Sequence, residues 1–263
     1  MHFMKINALG NDFVFWGSPS QTVLPDKSTI RFACNRKYGI GADCAVFISR
    51  STVADYTMRV YNPDGFEAEM CGNALRCSAQ YVIECGFFKK RTFNVETGSG
   101  ERSVFYDDGF ITAEIGKPVI IEKDMLTVAG IHLSYRYISV GNPHCVIFTE
   151  SPIGSEFDYL GPAIEHHERF PNGVNVEFVN IIGENEIGMR VWERGIGETL
   201  SCVTGSCASV AAIVDEYGSS GAFNVHQAGG IINVDRKECG RMLVSGRCST
   251  VFKGETINNQ EKL

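Results

Sequence analysis

Two stretches of the chain carry apolar residues at helical spacing, one in each half. In the first half, apolar residues recur at this spacing over 75–83, behind Cys71, and Gly86 supplies the stop typical of a helix C-terminus. In the second half, an apolar run over 206–217 follows Cys202. The pattern therefore predicts one buried helix in each half, and each helix starts close to a cysteine.

Most of the remaining apolar residues fall in short segments that predict strands. Asp108-Gly109 lies between two such segments and has the composition of a hairpin turn. The runs over 27–36 and 159–169 predict two further helices. Because the segments are short and are joined by tight turns, we expect an α+β fold with a mainly antiparallel sheet in each half.

The two helix patterns lie about half a chain apart, which favours two related halves. Gly116 and Pro118 interrupt the pattern between them and mark a boundary. We therefore expect an N-terminal domain over 1–117, with the segment 253–263 packing back on it, and a C-terminal domain over 118–252.

The composition excludes several classes of partner. The 263 residues carry a net charge of −7 and contain no basic run, so we expect no nucleic-acid partner. No apolar run is long enough to span a bilayer, so we expect no membrane partner. The hydrophobic content of 44% is typical of a globular chain. The sequence leaves the oligomeric state open, with a homodimer as the candidate assembly.

The chain contains ten cysteines, and their setting predicts free thiols. Residues 1–5 do not resemble a secretory signal, which favours the reducing cytoplasm, where disulfides are rare. The pairs Cys71/Cys77 and Cys202/Cys207 could also be zinc ligands. Their spacing is wider than zinc sites use and no nearby His pair completes a site, so we expect no metal.

Cys71 and Cys202 each combine a thiol with a predicted helix start. Unpaired backbone N–H groups and the helix dipole favour an anion there, so we expect a lowered thiol pKa and reactive thiolate near neutral pH. Two such thiols facing each other could remove a proton from one face of a carbon and deliver one to the other, which inverts a stereocentre. We expect the other eight cysteines to be small buried apolar residues.

Six segments spread over nearly the whole chain are distinctive. They read Leu9-Gly10-Asn11-Asp12-Phe13, Asn62-Pro63-Asp64-Gly65, Cys71-Gly72-Asn73, Gly141-Asn142-Pro143-His144, Val174-Asn175-Val176-Glu177-Phe178, and Glu193-Arg194-Gly195 leading to Cys202. Their content and order resemble those of the diaminopimelate epimerase family. The resemblance implies two pseudo-symmetric halves, each a sheet wrapped around a central helix, with the active site in the inter-domain cleft. It also implies epimerisation of LL- to meso-diaminopimelate without pyridoxal phosphate or any other cofactor.

The resemblance also implies roles for individual residues. Cys71 and Cys202 correspond to the two bases, and His144 and Glu193 correspond to neighbours that tune the cysteine pKa values. Backbone N–H groups at both helix starts would hold the α-carboxylate of a small amino-acid substrate, while Asn and Arg side chains would hold its distal group. The implied substrate-binding residues are Asn11, Cys44, Asn62, Gly72, Asn73, Asn142, Asn175, Glu193, Arg194, Val203 and Thr204.

The chain departs from the family pattern at several positions close to these residues. Cys44 stands where the family usually has Gln, and Ala74 and Val203 stand where it has Gly. Gln227-Ala228 replaces the usual Leu-Pro. Val203 is expected to matter most, because a β-branched residue resists a positive φ and adds bulk beside the carboxylate site.

The reaction implied by the resemblance belongs to lysine and peptidoglycan-precursor synthesis. Three other functions stay open. The first is a racemase of another amino acid, such as histidine, on the same fold. The second is a Cys–His acyl-transfer or hydrolytic enzyme that uses one thiol near His144. The third is an amino-acid-binding protein that has no catalytic activity.

Overall fold

The structure is a computed structural model that describes residues 1–68 and 70–257. The chain divides into two compact units. The first unit contains Met1–Ala113 and the segment that starts at Arg247, and the second unit contains Glu114–Gly246. Each unit combines a sheet with two helices, which confirms the predicted α+β class.

The elements are as follows in chain order. The strands are β1 (His2–Ala8), β2 (Asn11–Gly17), β3 (Cys44–Ser49), β4 (Tyr56–Tyr61), β5 (Glu67–Ala68), β6 (Thr92–Thr97), β7 (Gly100–Asp107), β8 (Phe110–Gly116), β9 (Val119–Val128), β10 (Ile131–Ser139), β11 (Pro143–Phe148), β12 (Asn175–Gly183), β13 (Glu186–Glu193), β14 (Gly197–Thr199), β15 (Ala222–Gln227), β16 (Gly230–Arg236), β17 (Met242–Arg247) and β18 (Ser249–Glu255). The helices are α1 (Lys27–Cys34), α2 (Gly72–Glu84), α3 (Phe157–Glu165) and α4 (Val203–Tyr217). None of these helices has the length and apolar content that a membrane crossing requires.

The sheet of the first unit surrounds α2, the helix predicted behind Cys71. Every residue of α2 from Gly72 to Val82 is buried, and the helix packs against β1, β2, β4 and β7. Strands β6, β7 and β8 form the expected meander. Its second turn has Asp108 at φ 47° and Gly109 at φ 77°, which is the left-handed backbone that a two-residue hairpin turn requires.

β18 belongs to the first unit, and this corrects the sequence prediction that ended the second domain at residue 252. β18 runs antiparallel to β1, with His2 opposite Glu255 and Asn7 opposite Ser249. The alternation of apolar residues identifies a strand but not the sheet edge that it joins. The division between units accordingly falls at 113/114 and at 246/247, and residues 258–263 of the predicted segment lie outside the described residues.

The second unit repeats the arrangement around α4. Strands β9, β10 and β11 pair antiparallel, β11 pairs parallel with β12, and β12 pairs antiparallel with β13. Strands β15, β16 and β17 form an antiparallel meander that joins β13. Helix α4 is buried over nearly all of its first eleven residues, which are small or apolar, and its C-cap is Gly218 with φ 65°.

The two shorter helices differ from the predicted ranges. α1 ends at Cys34 rather than Arg36, and Asp26 caps its start by accepting a hydrogen bond from the Thr29 backbone N–H. α3 covers Phe157–Glu165 rather than 159–169. Capping residues and packing determine where each of these helices begins and ends, and the spacing of apolar residues does not show either.

Candidate active site

Cys71 occupies the N-cap position of α2. Its backbone is extended, with φ −132° and ψ 119°, and its carbonyl accepts the first helical hydrogen bond from Leu75 at 2.9 Å. The half-buried thiol donates to Oδ1 of Asn11, 3.8 Å away. The structure therefore places one predicted base at the positive end of a buried helix, in contact with a predicted substrate-binding residue.

Asp43, which the sequence prediction missed, holds Asn11 in place, and Arg36 connects Asp43 to Asp12. The amide of Asn11 donates to Oδ2 of Asp43 at 3.0 Å, and Arg36 donates to both Asp43 and Asp12. Burial raises the pKa of Asp12, but hydrogen bonds from Arg36 and Lys5 outweigh it and lower the pKa to about 2. Asp43 directly precedes Cys44, so its position beside one predicted residue was the available signal.

Cys44 and Asn62 also lie together. Cys44 opens β3, Asn62 follows the end of β4, and the Cys44 thiol lies 4.0 Å from Oδ1 of Asn62. Gly72 and Asn73 open α2. The side chain of Asn73 is buried and accepts from Arg76 at 2.6 Å, so this side chain is engaged within the helix.

Cys202 occupies the equivalent N-cap position of α4. Its backbone has φ −129° and ψ 115°, within a few degrees of Cys71. The Gly205 backbone N–H donates to the Cys202 sulfur at 3.4 Å, and the Thr204 hydroxyl lies 3.5 Å from the same sulfur. The side chain of Gln227 accepts the Cys202 backbone N–H at 2.8 Å. The departure from the family pattern at Gln227 is therefore a contact that holds the cysteine loop.

The pKa of Cys202 corrects one prediction from the sequence. Burial raises the pKa of this thiol well above its ordinary value of 9.0, and the negative charges of Glu193 and Glu177 raise it further. Hydrogen bonds from Thr204 and Gly205 act in the opposite direction but are smaller. The helix start therefore does not produce a thiolate at Cys202, and this residue is a protonated thiol near neutral pH.

Glu193 lies beside Cys202, as predicted. It accepts a hydrogen bond from the Thr199 hydroxyl at 2.5 Å and another from the Cys202 thiol. Burial raises the pKa of Glu193, while these two hydrogen bonds hold the rise in check. A carboxylate that accepts from the thiol can receive its proton and return it.

His144 is fully buried and contacts Glu177, a residue to which the sequence analysis gave no role. Nδ1 of His144 lies 2.7 Å from Glu177 Oε1, and Nε2 lies 3.0 Å from Asn142 Oδ1. The amide of Asn142 donates to the Thr204 hydroxyl at 3.3 Å. Asn142 and Thr204, both predicted to bind substrate, therefore connect His144 to Cys202.

Asn175 and Arg194 lie next to each other. The amide of Asn175 donates to the Pro143 carbonyl at 2.8 Å, and its Oδ1 accepts the Arg194 backbone N–H at 3.0 Å. Arg194 and Asn142 line one pocket of about 330 Å³ in the second unit. Asn175 thus positions the backbone of Arg194, while the Arg194 guanidinium is exposed beside a pocket large enough for part of a small molecule.

Val203 causes none of the expected backbone strain. It is the first residue of α4, and the non-glycine residues with positive φ in the described part of the chain are Leu9, Asp108, Ala129 and Asn185. Ala74 is likewise an ordinary buried residue of α2. Both departures are compatible with a regular helix start.

All ten cysteines are free thiols. Within residues 1–68 and 70–257, no group of three or more His, Cys, Asp or Glu side chains is arranged to hold a metal ion. The expectation of a metal-independent, cofactor-independent reaction stays a prediction.

The fold defines a class of two-unit proteins that includes amino-acid epimerases. The structure superimposes on a PhzF-family phenazine biosynthesis protein from Bacillus anthracis with a TM-score of 0.72, at 17% identity over 97% of both chains. It superimposes on a hydroxyproline epimerase from Agrobacterium vitis with a TM-score of 0.74, at 13% identity over 97% of this chain and 91% of the other. At these identities the likeness establishes the fold alone.

The chain belongs to the diaminopimelate epimerase family, whose family model matches residues 3–121 and 136–251. It is 37% identical to diaminopimelate epimerase from Desulfitobacterium hafniense over 98% of this chain and 99% of the relative. It is 34% identical to the Methanococcus maripaludis enzyme, over 97% and 99%. The family identified from the sequence is confirmed, and the chain is an isomerase whose relatives support diaminopimelate epimerisation. A small-molecule amino-acid substrate is consistent with this family.

Proposed function

We propose that this protein epimerises LL- to meso-diaminopimelate by a two-base mechanism in which Cys71 and Cys202 act on opposite faces of one α-carbon. The observation that carries the proposal is the repeated placement of a cysteine at the N-cap of the buried helix in each unit. The two N-cap backbones agree within a few degrees, at φ −132° and ψ 119° for Cys71 and φ −129° and ψ 115° for Cys202. A reaction that needs one acid and one base of the same kind fits such a repeat.

The environment of Cys202 supports its role as the thiol that starts with a proton. Because burial and neighbouring carboxylates raise its pKa, Cys202 starts as the proton donor. Cys71 then acts as thiolate and removes the α-proton. In the reverse reaction the roles exchange, and Glu193 can accept the Cys202 proton because it already hydrogen-bonds the thiol.

The α-proton of an amino acid is a very weak acid, so the carbanion left by its removal must be stabilised. The starts of the two helices can supply this stabilisation. The first backbone N–H groups of α2 and α4 have no helical acceptor and lie beside each cysteine. Directed at the α-carboxylate, they would stabilise the negative charge that grows as the proton leaves. Gly72 and Asn73 in α2, and Val203 and Thr204 in α4, contribute through these backbone groups.

Arg194 is the proposed ligand of the distal carboxylate. A guanidinium matches a carboxylate with two parallel hydrogen bonds, and Arg194 lies with Asn142 at the pocket of about 330 Å³. Asn11, Cys44 and Asn62 form the corresponding polar group of the first unit. A racemase of a single-centre amino acid such as histidine would have no use for Arg194.

The test is incubation of the enzyme with stereopure amino acids in heavy water, followed by mass and chiral analysis. We expect LL- and meso-diaminopimelate to interconvert with uptake of one deuterium, at a kcat/KM at least ~100-fold above histidine, lysine or ornithine. Cys71→Ala and Cys202→Ala should each abolish inversion, because each removes the acid or base on one face. Near-normal inversion by either variant would contradict the two-thiol mechanism.

Cys239→Ala is the matched control, because Cys239 is an exposed thiol in a turn of the second unit. It should keep full activity. Histidine as the best substrate would overturn the distal-site assignment and favour the alternative racemase. The place of the reaction in lysine and peptidoglycan-precursor synthesis, and a cytoplasmic location, follow from this function and stay proposals with it.

A further inference from the structure

A chain of four hydrogen bonds runs from a buried carboxylate to Cys202 inside the second unit. It passes from Glu177 through His144, Asn142 and Thr204 to the Cys202 sulfur, with donor–acceptor distances of 2.7, 3.0, 3.3 and 3.5 Å. These side chains come from β11, β12, the loop before β11 and the first turn of α4. The last link reaches a proposed acid–base group, so the direction of each bond matters.

The Glu177 carboxylate and the orientation of the Asn142 amide determine the direction of the links. A carboxylate only accepts, so Nδ1 of His144 donates to Glu177. The Asn142 atom that faces Nε2 is the amide oxygen, which also only accepts, so Nε2 donates as well. His144 is therefore doubly protonated and positively charged, and it forms an ion pair with Glu177.

The remaining links follow from the orientation of the Asn142 amide. With its oxygen on His144, Asn142 donates its N–H to the Thr204 hydroxyl. The Thr204 oxygen is then occupied as an acceptor, and its own proton is available to the Cys202 sulfur. A neutral His144 would accept a hydrogen bond at Nε2, so the Asn142 amide would rotate to place its N–H there. Its oxygen would then face Thr204, and the Thr204 hydroxyl would donate to Asn142 instead of to the sulfur.

We propose that Glu177 is a positioning residue for the reaction, because it holds His144 protonated and thereby directs the Thr204 hydroxyl proton to the Cys202 thiolate when that thiolate forms. The inference rests on the proposed acid–base role of Cys202. It adds a residue that is not part of the lining of the proposed pocket.

The packing around Glu177 explains how a charged carboxylate is retained there. Glu177 is fully buried, and its Oε2 has no hydrogen-bond partner among the described residues. A Cβ on Gly205 would lie only 2.6 Å from Glu177 Oε1. The missing side chain of Gly205 therefore lets the carboxylate approach the first turn of α4, where the helix dipole favours a negative charge.

Two effects of Glu177 on Cys202 have opposite signs. Its charge alone raises the pKa of the thiol, whereas the Thr204 hydrogen bond lowers it. The positive charge of His144 compensates the negative charge of Glu177. Replacing Glu177 with a neutral residue also makes His144 neutral, so the net charge near the sulfur stays the same. The main change is then that the Thr204 hydroxyl donates to Asn142 instead of to the sulfur. The other charged group that faces the sulfur is Glu193 on β13, whose pKa is raised by the charge of Glu177 and lowered by that of His144, so these two effects also oppose each other.

The experiment measures iodoacetamide alkylation of Cys202 against pH, with the modified peptides quantified by mass spectrometry. Glu177→Gln should slow alkylation of Cys202 by about tenfold below its pKa, the equivalent of one pKa unit for a lost hydrogen bond to thiolate. Thr204→Val should slow it equally, and the double variant should match either single variant. Thr204→Ser keeps the hydroxyl and should restore the normal rate.

Several outcomes would overturn the proposal. A faster rate in Glu177→Gln would show that the carboxylate acts through its charge alone, and additive effects in the double variant would show that the two residues act separately. Cys71 alkylation in the same samples is the internal control and should not change. Alkylation needs no turnover, so loss of the proposed epimerase function would leave these results interpretable.

A second measurement covers the case in which Glu177→Gln fails to fold. Nitrogen NMR of the imidazole in the unaltered protein should show both ring nitrogens of His144 protonated. A neutral His144 ring would contradict the proposed direction of the hydrogen bonds whatever the variants do.

Discussion

At the scale of single residues, the structure separates the side chains that are available to a ligand from those engaged within the protein. The exposed guanidinium of Arg194 lies beside a pocket and donates one hydrogen bond, to the Asn172 carbonyl at 3.3 Å. The amide of Asn175, in contrast, is hydrogen-bonded to Pro143 and to the Arg194 backbone. The sequence motif treats both as substrate-binding residues. A motif records which residues occur together, and only the contacts show which of them supports the other.

Arg194→Lys tests the distal site. An ammonium cannot reproduce the two parallel hydrogen bonds of a guanidinium, so KM for diaminopimelate should rise by roughly 10- to 100-fold and the preference over lysine should largely disappear. Steady-state kinetics on both substrates measure this. Arg241→Lys is the control, since Arg241 is an exposed residue that pairs with Glu114. An unchanged KM in Arg194→Lys would remove Arg194 from the site.

At the scale of elements, the parts of the site that lie next to one another in sequence were predictable. The buried helices behind Cys71 and Cys202 follow from apolar spacing, and the positions of both thiols at the helix starts follow with them. Glu177 was not predictable in this way. Glu177 contacts His144 because β11 and β12 pair parallel, with His144 opposite Asn175. The local pattern of apolar and polar residues does not predict which residues of two strands lie opposite each other.

Gly205→Ala tests the fit between α4 and β12. Alanine favours a helix over glycine, but the added Cβ would lie 2.6 Å from Glu177 Oε1 and 3.2 Å from its Cδ. We expect a loss of about 1–3 kcal/mol in the free energy of unfolding, together with reduced activity. Urea unfolding and turnover assays measure the two effects.

Gly183→Ala is the matched control for this substitution, because its Cβ would meet Glu186 at an ordinary 3.5 Å. It should leave stability within about 0.5 kcal/mol of the original. A Gly205→Ala protein as stable as this control would show that Glu177 can move away from α4 at little cost.

At the scale of the whole molecule, both units bury thiols in apolar surroundings. Burial raises the pKa of Cys34 from 9.0 to about 11, with smaller contributions from Asp12 and Asp43. Burial also raises the pKa of Cys145 well above 9.0. The unfolded chain loses these protons near its ordinary thiol pKa while the folded chain keeps them, so the folded state is favoured at lower pH and loses stability as pH rises.

Alkaline unfolding therefore depends on these thiols. The free energy of unfolding should fall between about pH 9 and about pH 11, and Cys34→Ala should reduce that fall by about 1–2 kcal/mol. Urea titrations across this range measure the difference. Cys239→Ala should not reduce the fall, because a hydrogen bond from Arg241 lowers the pKa of Cys239 and its contribution therefore has the opposite sign. An identical pH dependence in Cys34→Ala and the unaltered protein would contradict the raised pKa.

The antiparallel pairing of β1 with β18 brings together strands from opposite ends of the chain, and this has a consequence for protein synthesis. The amino group of Met1 even donates to the Thr256 hydroxyl at 3.0 Å. A ribosome makes β1 before the second unit and β18 after it, so the first unit cannot complete its sheet until the second unit has emerged. The second unit is continuous from Glu114 to Gly246, so all of its residues are synthesised before β18. During that interval one edge of β1 stays open to pairing with other nascent chains, which makes it the point where chaperone protection matters most.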